Sequence, residues 1–177
     1  DTNTCRIMEK TIQKNRRTTN EEKGLHPCFD KQAKMKYARI HLPVAPKCNV
    51  QCAYCNRKYD CINESRPGIT SSVLSPWQAL TYLKKISERI PNISTIGIAG
   101  PGDALAEPGR TMECIRLIRA EFPDKIFCLS TNGLELEEYA EELASLGVTH
   151  ITLTINSLGR ALRDAGRLDE AEDRLLQ

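Results

Sequence analysis

No run of apolar residues in this chain approaches the roughly 18–20 that would span a bilayer. The first stretch, Asp1 to Lys23, is polar throughout and lacks the apolar core of a signal peptide. The expectation is a soluble, cytoplasmic protein. Charge of one sign is lacking as well: 25 basic and 23 acidic residues leave a net +2. Composition therefore favours neither nucleic acid nor a membrane surface as a partner. Cysteines are abundant, but paired C-x2-C knuckles are not, so a closed tetrahedral zinc site lacks half of its usual ligands. Beyond Cys128 the sequence has no cysteine at all.

What is present bounds the problem further. A chain of 177 residues with 40% hydrophobic content can bury one core and is expected to form one domain. Eight cysteines in a cytosolic protein point to metal or redox chemistry rather than to a disulfide framework. Cys28, Cys48, Cys52, Cys55 and Cys61 crowd one region, whereas Cys5, Cys114 and Cys128 stand apart. Within the crowd, Cys48-Asn-Val-Gln-Cys52-Ala-Tyr-Cys55 forms a C-x3-C-x2-C triplet with Tyr54 before its last cysteine. A cubane iron–sulfur cluster takes four ligands, usually thiolates. One short loop here supplies three, and the fourth iron stays open for a substrate or cofactor.

The rest of the chain alternates two kinds of segment. Residues 1–24 are polar without an apolar face and read as a mobile arm. Ala38 to Val44 alternates and carries branched residues, which predicts a first strand with the cysteine loop directly after it. Ser75-Pro76 is a helix start, with Ser as N-cap and Pro at the first helical position. Leu80, Leu83, Ile86 and Ile90 then recur at helical spacing. Ser94–Ala99 predicts a second strand, Pro108 to about Phe122 a second helix, and Lys125–Ser130 a third strand. Glu135 to Leu146 predicts a third helix and Val148–Ile155 a fourth strand. Such βαβ repetition implies a parallel sheet, with functional loops at the carboxyl ends of its strands. The informative motifs fall at those ends: the cysteine loop, Gly100-Pro-Gly-Asp103, Ser130-Thr-Asn-Gly133 and Asn156. From Ser157 on, the chain turns rich in Ala, Leu, Arg, Asp and Glu and reads as a helical hairpin turning near Gly166, a tail distinct from the repeating units.

The triplet with Tyr54, on the loop after a first βα strand, resembles the radical S-adenosylmethionine (SAM) superfamily. Residues from about Leu25 to Asn156 resemble, more narrowly, its NifB-type nitrogenase cofactor-maturation family. The strings that carry this are His26-Pro-Cys28, Cys55-Asn-Arg-Lys-Tyr-Asp-Cys61, Asn63-Glu-Ser-Arg-Pro-Gly68, Gly97-Ile-Ala-Gly-Pro-Gly-Asp103 and Leu129-Ser-Thr-Asn-Gly133. The resemblance implies an α/β fold, a partial (β/α) barrel. It implies a 4Fe–4S cluster on Cys48, Cys52 and Cys55, whose open iron is chelated by SAM and whose electron releases a 5′-deoxyadenosyl radical. Tyr54, Gly100, Gly102, Asp103, Ser130, Thr131, Asn132 and Asn156 carry over as the surroundings of SAM. Proteins of this family fuse two further 4Fe–4S clusters with a SAM-derived carbide into an eight-iron precursor of the iron–molybdenum cofactor. On that pattern Cys28, Cys61 and Cys128 ligate one substrate cluster and His26 the other. Glu64 is then an acid/base or cluster-facing carboxylate, and Arg66 a neutralising charge. The implied partners are cluster donors, cofactor-acceptor proteins of nitrogenase assembly and an electron donor. The family also has a later cysteine pair for the His26 cluster, and no cysteine follows Cys128 here.

Taken singly, several of these residues have plainer readings. Cys28 and Cys61 serve equally well as ordinary thiols, Cys128 as a small buried strand residue, and Gly100-Pro-Gly102 as a turn. His26 alone reads as a surface histidine, and His41 and His150 as strand residues with structural hydrogen bonds. Three function classes follow: a radical SAM enzyme of nitrogenase cofactor biosynthesis, a different radical SAM enzyme that modifies a peptide or cofactor, and a non-catalytic fragment that binds cluster and SAM.

Overall fold

The computed structural model describes residues 26–28, 30–56, 58, 59, 61 and 72–154. The expected arm (1–24), Glu64, Arg66, Asn156 and the tail (157–177) lie outside the described residues.

The described chain runs α1 (Lys31–Lys36), β1 (Ala38–Pro43), α2 (Pro76–Arg89), β2 (Ile93–Ala99), α3 (Pro108–Glu121), β3 (Ile126–Thr131), α4 (Leu136–Ser145) and β4 (Val148–Leu153). The strands form one parallel sheet in the order β1-β2-β3-β4, so each pairs with the strand next to it in sequence. A helix separates each pair. This is the arc of a (β/α) barrel, unclosed among the described residues. The expected βα units stand, with boundaries shifted by one or two residues: β3 starts at Ile126, and the helix expected over 135–146 is Leu136–Ser145.

Local chemistry accounts for the starts and stops. At α2, the Ser75 hydroxyl accepts from Gln78 N–H at 3.2 Å while the Gln78 side chain accepts from Ser75 N–H at 2.8 Å, a reciprocal capping box with Pro76 behind it. At α3, Pro108 opens the helix without a side-chain cap. The short α1 has no apolar face to announce it and is held from outside. Asp30 caps its start through Ala33 N–H, and Asn92, just before β2, donates to Lys36 O at its end.

The core lies on one face of the sheet. Leu42, Ile96, Ile98, Phe127 and Leu129 of the strands meet Leu80, Leu83, Met112, Ile115, Ile118 and Leu143 of the helices. Each such side chain contributes about 1.5–3 kcal/mol by leaving water. Cys114 of α3 belongs to this core, and burial pushes its thiol pKa up to about 12. The opposite face carries the alternate residues of each strand. The two ends of the cysteine-bearing segment also meet: Leu74 N–H donates to Pro43 O at 2.8 Å, and the Arg110 guanidinium donates to Val44 O at 2.8 Å and Leu74 O at 2.9 Å.

Candidate functional site

The carboxyl ends of β1, β2 and β3 form one rim, and the motifs expected there are bonded to one another. Cys48, Cys52 and Cys55 lie half-buried on the loop after β1, as thiols outside any disulfide. Cys55 N–H closes a turn onto Cys52 O at 3.0 Å, and the Gln51 side chain spans the same turn to Cys52 O and Cys55 O. Tyr54 is exposed beside them.

The loop after β2 grips the segment that leads into the triplet. Gly102 N–H donates to Ala45 O at 3.0 Å, and Asp103 N–H to Lys47 O at 2.7 Å. Nothing larger than glycine fits: a Cβ on Gly102 would stand 1.9 Å from Lys47 O, and one on Gly100 would stand 2.3 Å from Ala45 O. These glycines are thus required by the close approach of two loops. Cys61 joins the rim as well, its N–H bonded to Gly100 O at 3.1 Å.

Asp103 links this loop to the end of β3. Its buried carboxylate accepts from Leu105 N–H at 2.9 Å, the Thr131 hydroxyl at 2.9 Å and Asn132 N–H at 2.6 Å. Thr131 is buried, and Ser130 beside it is half-buried. Asn132 extends the network with its amide, 2.6 Å from Asn49 Oδ1 and 3.9 Å from Cys48 Sγ. Asn49 in turn donates to Glu135 at 3.2 Å. One buried carboxylate therefore ties the loop after β2 to the end of β3 and, through Asn132, reaches the first cysteine on the loop after β1.

A second set of residues sits on the inner face, below the rim. Cys128 is half-buried, paired in register with Gly97 on one side and His150 on the other. Cys28 is exposed. His26, far from being a surface histidine, is only 1% exposed, and its ring lies 4.4 Å from that of His150. Burial, then His150 and His41, pull its pKa down to about 4 against a backbone hydrogen bond that raises it. His150 Nδ1 meets the Thr149 hydroxyl at 2.8 Å, as a structural hydrogen bond requires. His41 departs from that expectation. Its buried Nδ1 has no hydrogen-bond partner among the described residues, and the Cδ2–Nε2 edge of the ring lies against Gly97. Burial lowers its pKa also.

The sequence reading missed Arg39 and the convergence of the three histidines. Arg39 Nη1 contacts Cys28 Sγ. The signal was available: Arg39 and His41 alternate with Ile40 and Leu42, so two polar side chains share the face opposite the core. Among the described residues no three His, Cys, Asp or Glu side chains are already arranged as a metal-ion site. The donor set itself, half-buried thiols on one short loop against a glycine-tight turn, fits a cluster bound through sulfur. No helix among the described residues is long and apolar enough to cross a membrane.

Comparison with known proteins gives the family of the chain. The radical SAM superfamily model matches residues 42–176. The FeMo cofactor biosynthesis protein NifB of Chlorobaculum tepidum is 60% identical over 133 residues, covering 75% of this chain and 31% of that protein. NifB of Azotobacter vinelandii is 53% identical over 131 residues, 74% of this chain and 26% of that protein. NifB of Rhizobium leguminosarum is 50% identical over 131 residues, 74% of this chain and 81% of that protein. The chain thus spans under a third of the Chlorobaculum and Azotobacter proteins it matches.

Proposed function

From the premise that this chain belongs to the radical SAM superfamily and to its NifB family, we propose that it carries the SAM-cleaving site of a nitrogenase cofactor-maturation enzyme. Cys48, Cys52 and Cys55 would hold a 4Fe–4S cluster. Such a cluster, when bound, supplies the electron that cleaves SAM reductively at its open iron. The observation that carries the reading is the lock between the cysteine loop and the turn after β2, through Ala45, Lys47, Gly100, Gly102 and Asp103. It fixes a three-thiol loop against a backbone turn where SAM's polar end needs a cradle.

The chain's own residues then have separable tasks. Asp103 holds Thr131 and Asn132 in place, and Asn132 steadies Cys48. Gly100 and Gly102 keep the turn free of side chains, and Ser130 and the exposed Tyr54 face the cofactor, with Asn156 completing its surroundings. Cys28, Cys61 and Cys128 bind one 4Fe–4S substrate cluster, and His26 serves a second. Glu64 moves a proton or faces a cluster, and Arg66 offsets its charge. Fusion of the two clusters with a SAM-derived carbide into an eight-iron product is the whole-protein activity to which these parts belong. Cluster donors, a cofactor acceptor and an electron donor are its partners.

Anaerobic reconstitution with iron and sulfide, then reduction with SAM present, tests this. The chain should take up iron and form 5′-deoxyadenosine. Cys52→Ala should abolish that product, while Cys128→Ala should retain it and lose only substrate iron. Stoichiometric zinc without iron uptake, or full iron without 5′-deoxyadenosine, would sink the proposal.

A further inference from the structure

Arg39 has no task in the SAM site, yet its position is specific. It lies on β1 two residues before His41, on the face opposite the core. The row beyond it runs across the sheet from His41 through Gly97 and Cys128 to His150. An added Cβ at Gly97 would stand 3.0 Å from the His41 ring, so the absent side chain leaves room for that ring. The turn His26–Cys28 closes over this row. His26 packs on His150, its Nδ1 accepts the Cys28 amide hydrogen at 3.1 Å, and Arg39 Nη1 contacts Cys28 Sγ. Cys128 belongs to the sheet, whereas Cys28 comes from outside it and is tied to it through Arg39 and His26.

A guanidinium stays charged at any working pH and donates through a rigid planar fork. An iron–sulfur cluster on thiolates is anionic, and its potential follows net charge and the hydrogen bonds reaching its sulfurs. We propose that Arg39 is a positioning residue for substrate: it holds Cys28 Sγ against the inner face of the sheet and gives that sulfur a charge-assisted hydrogen bond while it binds iron. This rests on the reading of Cys28, Cys61 and Cys128 as ligands of one substrate cluster.

The test uses the full chain, reconstituted anaerobically with ferrous iron and sulfide and freed of excess by gel filtration. Cys28→Ala should lose about four iron atoms per chain. Arg39→Gln should lose the same iron, or keep a cluster whose midpoint potential, followed by electron paramagnetic resonance, is more negative. Arg39→Lys should restore occupancy. In the Cys28→Ala background, Arg39→Gln should change nothing further, since both act through one sulfur. Wild-type iron and wild-type potential in Arg39→Gln would overturn the inference, as would an equal effect with Cys28 already removed. So would unchanged iron in Cys28→Ala. If Arg39→Gln does not fold, Arg39→Ala decides by the same two readouts: lost iron or a more negative potential supports the inference, and wild-type iron with wild-type potential overturns it. SAM cleavage is measured in the wild type alongside, and its loss there strikes the SAM-site proposal and leaves the Arg39 result to be judged on iron and potential.

Discussion

Replacing Asp103 with Asn changes one atom of a buried side chain and leaves its volume intact, which makes it the sharpest probe of the rim. The carboxylate accepts three hydrogen bonds from within the protein: Leu105 N–H and the Thr131 hydroxyl on one oxygen, Asn132 N–H on the other. An amide offers only one oxygen. Whichever way it turns, its NH2 faces a buried backbone N–H, either that of Leu105 or that of Asn132. Leaving one such donor unmet costs about 1–3 kcal/mol, and weakening the remaining charge-assisted bonds brings the total to about 2–4 kcal/mol. With a urea m-value of about 2 kcal/mol/M, the midpoint of unfolding should fall by about 1–2 M. Urea titration of the metal-free chain under reducing conditions measures this directly. A midpoint unchanged from wild type, together with weakened SAM binding, would refute the reasoning, since Asp103 would then act on the ligand rather than on the rim.

Two further outcomes are expected. Gly102→Ala puts a Cβ 1.9 Å from Lys47 O and should split the two loops, losing iron uptake and SAM cleavage, whereas Gly109→Ala meets nothing within 4 Å and should leave both unchanged. Iron content and 5′-deoxyadenosine yield compare the pair, and equal behaviour of the two variants contradicts the steric argument. The metal-free chain should also lose stability in acid. His26 has a folded pKa of about 4 against an ordinary 6.5, so the unfolded chain takes up its proton first. The stabilisation is complete above about 6.5 and lost progressively as pH falls towards about 4, and the lowered pKa of His41 acts in the same direction. Thermal midpoints at pH 7 and pH 5 should differ less in His26→Asn than in the wild type, and equal slopes count against a buried neutral His26.

How far the sequence went depends on the range of the forces involved. Ser75-Pro76 and the apolar spacing through Leu80 and Leu83 are local, and α2 begins where they put it. The strand ends were legible for the same reason, since alternation and Gly-rich stops are short-range patterns. The helix Lys31–Lys36 was not legible, because Asn92, far along the chain, completes it. Nor was the work of Asp103: its partners Thr131 and Asn132 belong to another strand, and only the sheet brings them near. Gly100-Pro-Gly102 reads as a turn from sequence, and only the fold shows that the backbone of Ala45 and Lys47 comes too close to both glycines for a Cβ. His26 was hidden for a related reason, since it is buried and packs on His150, far along the chain.

The joining of Pro43 to Leu74, under the single guanidinium of Arg110, has a consequence for how such a protein can change. The chain leaves the sheet and returns to it at nearly one point. The ends of a segment so anchored need not move when residues between them change, provided that the grip of the loop after β2 on Ala45 and Lys47 is kept. Substitutions or a new ligand set beyond Lys47 can then be tried by evolution, or by grafting, while β1, α2 and their packing stay as they are. The thiols of Cys48, Cys52 and Cys55 ride on that segment, and the hold on its ends is built from a backbone hydrogen bond and one arginine.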